Sequence, residues 1–128
     1  MESEPPRILV AEDNAALSRV IEFTLSKAGY EVVQAANGGI AWRLAQEQQF
    51  DLILTDQQMP EMTGVELCGH LRNSEKYADV PVVLLTAKGL ELELPQLCDE
   101  LGIAATFPKP FSPSQVLKTV QELLAPVA

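Results

Sequence analysis

Several residue types that mark specialised classes of protein are scarce in this chain. It has two cysteines, one histidine, and 9 basic residues against 18 acidic ones, giving a net charge of -9. Cys68 and Cys98 lack the spacing of metal ligands, so we interpret them as reduced side chains without a function. The acidic balance disfavours direct binding to nucleic-acid phosphates. We interpret His70, on a predicted helix, as a surface or edge residue rather than a catalytic base.

Long apolar runs are missing as well. A membrane-spanning helix needs about 18 consecutive apolar residues, and no stretch of this sequence is that long. Residues 1–6 are acidic and contain prolines, unlike a signal peptide. We therefore expect a cytoplasmic protein with no membrane contact. The length of 128 residues predicts one domain, with residues 1–6 as a flexible tail and residues 126–128 as a loose end.

Apolar runs and amphipathic stretches alternate five times, which predicts βα units around a parallel sheet. The strands are predicted at residues 8–11, 31–34, 52–55, 82–85 and 105–107. Helices are predicted before Gly29, after a cap at Asn37, after Gly64 and over residues 113–124, with Ser112 as N-cap. The fourth helix is predicted to begin near Pro95, because a proline inside a helix costs roughly 3 kcal/mol. Residues 90–94 are predicted to be irregular.

Acidic side chains follow two of these strands. Asp56 comes directly after the run at residues 52–55, and Glu12 and Asp13 follow the run at residues 8–11. Parallel sheets place such strand ends, and their chemistry, at one edge. Three carboxylates gathered in a partly dry cleft repel one another, so a bound positive charge is required. The sequence therefore predicts a site for a hard divalent cation.

Two further polar residues follow the fourth and fifth strands. The Thr86 hydroxyl can donate a hydrogen bond to an anionic oxygen, and the small Ala87 leaves space for a phosphoryl group. Lys109 offers a compact cation that could pair first with Asp56 and then with a phosphoryl oxygen. The Lys109–Pro110 bond is a candidate for the cis form, which only X–Pro bonds adopt at modest cost.

Each of these residues has an ordinary structural alternative when it is taken alone. Asp56 could be a turn residue before Met59-Pro60, and Glu12, Asp13 or Asn14 could cap the first helix. Thr86 could be a strand-end hydroxyl and Lys109 a solvated charge. Capping and metal binding are compatible, and the shared position of these residues at strand ends favours a functional site.

Taken in order, these motifs resemble the receiver domain of a two-component response regulator, over almost the whole chain. The set comprises Glu12-Asp13, Asp56, Met59-Pro60 with Gly64, Thr86-Ala87 and Lys109-Pro110-Phe111. The resemblance is closest to chemotaxis regulators and implies a flavodoxin-like α/β fold. Such a fold is a doubly wound (βα)5 sandwich whose five-stranded parallel sheet has the order 2-1-3-4-5. Because the chain ends after the fifth helix, we expect either a stand-alone regulator or a domain excised from a longer protein.

The resemblance also implies the roles of individual residues. Asp56 would accept the phosphoryl group from a histidine kinase or histidine phosphotransfer protein, and Thr86 and Lys109 would contact it. Asp13, Asp56 and the backbone carbonyl of Gln58 would bind Mg2+, with Glu12 holding a metal-bound water. Gln58 and Lys88 would flank the opening and tune the phosphoryl lifetime. The domain would act on an unknown downstream protein and, apart from its own phosphorylation and dephosphorylation, would not be an enzyme.

Two residues depart from the family pattern on the fifth strand. Receiver domains usually carry a Tyr or Phe where this chain has Thr106, and Phe107 comes one residue later. A shift of one residue reverses the face of a strand, so Phe107 is predicted to point away from the usual switch position unless Pro108 distorts the strand. The affected face, formed by the fourth helix, fifth strand and fifth helix, is also the candidate surface for homodimerisation. We expect the phosphorylation chemistry to be retained and its coupling to this face to be altered.

Three other functions remain open from the sequence. A phosphatase of the haloacid dehalogenase type needs a second acid two residues after its nucleophile, where this chain has Gln58. A flavodoxin-like carrier needs a Ser-, Thr- or Gly-rich phosphate loop where Glu12-Asp13 stands. A degenerate receiver that acts only as a docking module, without phosphorylation, is the second-ranked hypothesis.

Overall fold

Strands and helices alternate along the chain in the predicted order. The computed structural model describes residues 4–87 and 95–124. Its strands are β1 (Arg7–Ala11), β2 (Glu31–Ala35), β3 (Leu52–Asp56), β4 (Val82–Thr86) and β5 (Ala105–Pro108). Its helices are α1 (Ala15–Lys27), α2 (Gly38–Glu47), α3 (Gly64–Arg72), α4 (Pro95–Leu101) and α5 (Pro113–Leu123), with a short 3-10 turn at Glu75–Tyr77. Each strand extends one residue beyond its predicted bounds.

The five strands form one parallel sheet in the order β2-β1-β3-β4-β5, which confirms the predicted fold class. Every residue of β3 and β4 is buried. Burial on both faces explains why these strands are continuous apolar runs rather than alternating ones. Because β1, β3 and β4 are neighbours, their carboxyl ends bring Glu12, Asp56 and Thr86 to the same edge.

A hydrophobic core lies on each side of the sheet. The α1–α5 side is built from alternate strand residues together with α1 and α5, namely Ile8, Val10, Ile21, Leu25, Leu52, Leu54, Val83, Leu85, Val116 and Val120. The α2–α3 side includes Leu9, Ala41, Ala45, Ile53, Leu67, Cys68, Leu71 and Val82. This division is the consequence of the two-residue period of a strand. It decides which core any side chain on β5 can reach.

Most helix boundaries follow the predicted signals. Asn14 and Asn37 cap α1 and α2 through their side chains, Gly29 with a φ of 105° follows the end of α1, and Pro95 begins α4. Ser112 occupies the N-cap position of α5, but its hydroxyl makes no capping bond. It lies instead 2.9 Å from the hydroxyl of Ser114.

Parts of the chain for which predictions were made lie outside the described residues. These are residues 1–3 of the predicted tail, Lys88, the irregular segment at 90–94, and residues 126–128. Within the predicted tail, the Pro6 carbonyl accepts a hydrogen bond of 3.0 Å from the Glu31 N–H. No helix among the described residues is long and apolar enough to cross a membrane.

Arg72 fixes the C-terminal end of α4 to α3. Its guanidinium donates to the carbonyls of Leu101 at 2.7 Å and Gly102 at 3.1 Å. It also donates to the carbonyls of Tyr77 at 2.9 Å and Val80 at 2.7 Å. A charged donor shared among four carbonyls makes each of these bonds strong and ties three chain segments together. The sequence contains no periodic signal for this contact.

Candidate functional site

Three carboxylates meet where β1 and β3 end. One oxygen from each of Glu12, Asp13 and Asp56 lies within 4.8 Å of the other two. Glu12 and Asp56 are buried, whereas Asp13 is exposed. The cluster follows from the sheet register, which pairs Ala11 with Thr55 and therefore brings the residues after them together. The predicted convergence of these three side chains is present.

Asp56 is held at the centre of this cluster. Its Oδ2 lies 3.1 Å from the ammonium nitrogen of Lys109, and only 3% of its side chain is exposed. Its Oδ1 is buried and has no hydrogen-bond partner among the described residues. An unpartnered buried carboxylate oxygen is costly, so the site is suited to a cation or a donor from outside the chain.

Glu12 is the second buried acid. Its Oε1 lies 3.2 Å from the Lys109 ammonium, and its Oε2 accepts a bond of 3.0 Å from the Asn14 N–H. Burial, together with the nearby charge of Asp56, raises the pKa of Glu12 to about 7 although the Asn14 and Lys109 donors oppose this. Glu12 therefore titrates near neutral pH in the absence of a metal.

Lys109 bridges the two buried acids. Burial by itself lowers the pKa of Lys109, but its hydrogen bonds and charge interactions with Asp56 and Glu12 outweigh that effect and leave the pKa above its ordinary value. The Lys109–Pro110 peptide bond is cis. The ammonium is thus a permanent positive charge between two carboxylates.

Thr86 ends β4 at the same edge of the sheet. It is fully buried, and its hydroxyl has no hydrogen-bond partner among the described residues. Its carbonyl accepts a bond of 2.7 Å from the Lys109 N–H, and its neighbour Leu85 is the register partner of Asp56. A buried hydroxyl without a partner is a donor available to an incoming oxygen.

Gly64, the first residue of α3, packs closely against the backbone of Asp56. A Cβ added to Gly64 would lie 2.5 Å from the Asp56 carbonyl oxygen, so only glycine allows this approach. Thr63 and Glu66 form a capping box at the first turn. This box was not among the predicted caps, although Thr63 followed three residues later by Glu66 is its recognised signal.

The loop between β3 and α3 carries Gln58, whose carbonyl is a predicted metal ligand and whose side chain is exposed. Further along, Glu61 has a φ of 71°, and the Met62 N–H donates 2.8 Å to the Pro60 carbonyl. This hydrogen bond closes a γ-turn of the strained, positive-φ kind. Lys88, the other predicted lifetime residue, lies outside the described residues.

The donor atoms fit Mg2+. This ion prefers oxygen ligands, keeps several waters and is usually held by one or two carboxylates. The buried Oδ1 of Asp56, which lacks a partner in the described part of the chain, supplies that chemistry beside the exposed Asp13 carboxylate. The residues present are therefore consistent with the predicted cation.

The predicted switch region comprises Thr86, Thr106 and Phe107, and its two residues on β5 point to opposite cores. Phe107 packs with Ala105 on the α1–α5 side. Thr106 lies between them on β5, opposite Leu84 in the register, and strand alternation places it on the α2–α3 side with Thr86. The structure therefore puts no aromatic side chain of β5 on the Thr86 side, and Pro108 does not restore one.

An apolar stripe on α1 leads toward the carboxylate cluster. Val20 and Phe23 are 45% and 64% exposed, the two large apolar side chains most exposed among the described residues. Val20 also lines an open cavity of about 580 Å³, together with Asn14, Ala16, Leu17, Lys109, Pro110 and Phe111. The cavity therefore joins α1 to the lysine that contacts Asp56.

A known protein family matches most of this chain. The family profile described as "Response regulator receiver domain" matches residues 8–121. The chain belongs to this family. Receiver domains are signalling modules of two-component systems, and they bind Mg2+ in an acidic site. They interact with histidine kinases or phosphotransfer proteins and with downstream targets.

The relatives of this receiver domain differ in the share of their length that it covers. It is 39% identical over 119 residues to the DNA-binding dual master transcriptional regulator RpaA of Synechocystis, covering 93% of this chain and 49% of that protein. It is 31% identical over 120 residues to a chemotaxis protein CheY homologue of Campylobacter jejuni, covering 92% of each chain. The chain thus spans about half the length of RpaA.

Two solved structures are also similar to it. The chemotaxis response regulator CheY4 of Vibrio cholerae has a TM-score of 0.86 and 35% identity, covering 94% of this chain and 99% of that one. The receiver domain of the Pseudomonas aeruginosa sensor histidine kinase PA1611 has a TM-score of 0.82 and 32% identity, covering 93% and 97%. That second structure has a magnesium ion coordinated in its active-site cleft.

Glu12 gives the receiver domain a predictable pH dependence without metal. Its pKa rises from 4.5 to about 7 on folding, so within this range the folded protein keeps a proton that the unfolded chain has lost. Stability therefore falls as pH rises through this window. We expect Glu12→Gln to remove part of this fall, measured as the free energy of urea unfolding at both ends of the window in EDTA. Parallel pH profiles for the two proteins would contradict the assignment.

Proposed function

We propose that Asp56 accepts a phosphoryl group from a phosphohistidine, in a Mg2+-dependent reaction, and that the phosphorylated domain signals by protein contact. The observation that carries this proposal is the buried Asp56 carboxylate, which has one oxygen on Lys109 and the other without a partner among the described residues. We further propose that the whole chain is a single cytoplasmic domain. The acidic composition supports protein partners rather than nucleic acid.

In the proposed reaction, an Asp56 oxygen attacks the phosphorus of the phosphohistidine. The P–N bond breaks as the new P–O bond forms, and the imidazole leaves with the electron pair of the broken bond. Transfer of this kind depends mainly on positioning and on offsetting negative charge. Lys109 lies 3.1 Å from Asp56 and can move its hydrogen bonds to a phosphoryl oxygen. The Thr86 hydroxyl, for which residues 4–87 and 95–124 offer no partner, can donate to another.

Asp13, Asp56 and the Gln58 carbonyl, with Glu12 beside them, are the groups that would hold Mg2+. When bound, the ion supplies positive charge that offsets the repulsion between the carboxylates and the incoming phosphoryl group. The side chains of Gln58 and Lys88 would set the lifetime of the aspartyl phosphate. The domain thus promotes only its own phosphorylation and dephosphorylation.

We assign the exposed apolar stripe on α1 as the surface that contacts the protein donating the phosphoryl group. Phe23 and Val20 are exposed apolar side chains on α1, and the cavity that Val20 lines reaches Lys109 at the edge of the reactive site. A helix of a histidine kinase or a histidine phosphotransfer protein that packs its apolar face on this stripe would bring its phosphohistidine toward Asp56. Exposed aromatic anchors of this kind often dominate the energy of an interface.

The face formed by α4, β5 and α5 includes the strand on which Thr106 stands in place of the usual aromatic residue. We propose that the contacts made by α4, β5 and α5, including any homodimer through that face, do not depend on a swinging aromatic side chain. Phe107 already packs on the α1–α5 side, and Thr106 has only a short side chain to present toward Thr86.

Phosphorylation can be tested with acetyl phosphate and Mg2+. We expect a one-phosphoryl adduct in the intact mass of the wild type, no adduct in Asp56→Asn, and loss of the adduct when EDTA replaces Mg2+. Asp79→Asn is a matched control, because Asp79 is an exposed aspartate outside the carboxylate cluster. A wild type that stays unmodified would favour the docking-only alternative.

The donor surface can be tested with Phe23→Ala. With a phosphorylated histidine phosphotransfer protein that labels the wild type, we expect kcat/KM to fall by about 10-fold, as for loss of an aromatic anchor. Labelling by acetyl phosphate should be unchanged, because the small donor needs no docking surface. Arg43→Ala, on the exposed part of α2, controls for surface substitution. Equal losses with both donors, or no loss with either, would contradict the assignment.

The switch can be tested by comparing structures with and without beryllofluoride. We expect the Phe107 ring to keep its packing on the α1–α5 side in both states, because strand alternation directs it there. An inward swing of this ring toward Thr86 on binding of beryllofluoride would contradict the proposal.

A further inference from the structure

Gln57 completes the hydrogen bonding of the first turn of α3. A helix start leaves four N–H groups without intrahelical partners. Two are satisfied within the capping box, from Thr63 N to Glu66 Oε1 at 2.9 Å and from Glu66 N to Thr63 Oγ1 at 3.1 Å. The other two reach Gln57, from Gly64 N to its carbonyl at 3.1 Å and from Val65 N to its side-chain Oε1 at 2.8 Å.

Gln57 is itself fixed to the sheet. It follows Asp56 directly, and its N–H donates 2.7 Å to the Leu85 carbonyl, which extends the pairing of β3 with β4 by one residue. The loop at residues 58–63 therefore begins next to Gln57, and the two residues that follow the loop, Gly64 and Val65, donate hydrogen bonds to Gln57. At the end of this loop, Gly64 has no Cβ, which allows its backbone to pack against the Asp56 carbonyl.

We infer that Gln57 is a positioning residue that holds the 58–63 loop, and with it the Gln58 carbonyl, against the carboxylate cluster. Gln58 is the first residue of this loop, so its carbonyl direction depends on how the loop is closed. A ligand held in place before the ion arrives loses less conformational freedom on binding. This inference rests on the proposed Mg2+ site and names a residue that the site needs but that does not touch the ion.

The side-chain bond is the part that a substitution can remove without changing the backbone. Gln57→Met keeps the length of the side chain and loses the acceptor, which leaves the partly buried Val65 N–H without its partner. Gln57→Glu keeps an acceptor at the same distance along the side chain. Thr63→Val removes a different cap acceptor from the same helical turn and leaves both bonds to Gln57 in place.

The experiment is a calorimetric Mg2+ titration of the wild type and these three variants, with urea unfolding of each in EDTA. We expect Gln57→Met to weaken Mg2+ binding by on the order of 10-fold, the lower end of losses seen when a group supporting a metal ligand is removed. Gln57→Glu should bind at least as tightly as the wild type. Thr63→Val should lose stability with an unchanged Kd.

Each outcome separates the inference from the proposed function. A wild type that binds no Mg2+ would overturn the proposed function itself. A wild type that binds Mg2+ while Gln57→Met binds it equally well would overturn only the role of Gln57. Equal weakening in Gln57→Met and Thr63→Val would also overturn it, since any loosening of α3 would then have the same effect.

A second measurement on the wild type keeps the inference testable if Gln57→Met does not fold. If the bond from Val65 supports Mg2+ binding, then by reciprocity Mg2+ must stabilise that bond by the same factor. We expect saturating Mg2+ to slow amide hydrogen exchange at Val65 by about 10-fold, because opening of the hydrogen bond from Val65 becomes rarer by that factor. An exchange rate at Val65 that does not change with Mg2+ would overturn the inference.

Discussion

The repulsion among Glu12, Asp13 and Asp56 is the constraint on which the site depends. Their oxygens lie within 4.8 Å of one another at strand ends whose positions the sheet fixes. Among the described residues, Lys109 contacts two of the three carboxylates, so the folded chain keeps an excess of negative charge at this edge. Without a bound cation, burial and the charge of Asp56 raise the pKa of Glu12, so that this side chain holds a proton more readily. A bound cation removes the same repulsion and leaves the carboxylates charged.

The fold and the convergence of the acidic residues follow from patterns that the sequence carries directly. Strands β3 and β4 are buried on both faces, so each is a run of apolar residues that ends abruptly at a polar one. Once β1, β3 and β4 are taken as neighbours in a parallel sheet, Glu12, Asp56 and Thr86 must lie at one edge. This conclusion needs the strand ends, which the apolar runs show directly, and the strand order, which the resemblance to receiver domains implied.

Two contacts made by single long side chains, one beside the site and one at the amino ends of β4 and β5, could not be read in this way. Gln57 and Arg72 reach backbone groups on other segments through long, flexible side chains. Their partners are N–H and C=O groups, which every residue has, so residue type gives no signal for the pairing. For Ser112, the N-cap position was predictable from the sequence. The direction of its hydroxyl was not, because it depends on the rotamer and on Ser114. Only the capping box of Thr63 and Glu66 had a usable sequence signal.

The contacts around β5 favour one route for a signal leaving the site. Because Phe107 belongs to the α1–α5 side, Thr106 is the residue of β5 that faces the same side as Thr86. The Thr86 carbonyl, however, accepts a bond of 2.7 Å from the Lys109 N–H, and Phe111, two residues later, packs on the α1–α5 side. Displacement of Thr86 by a phosphoryl group would therefore act on the loop between β5 and α5 through the backbone. Since Arg72 holds the C-terminal end of α4, this loop is better placed to move than that end of the helix.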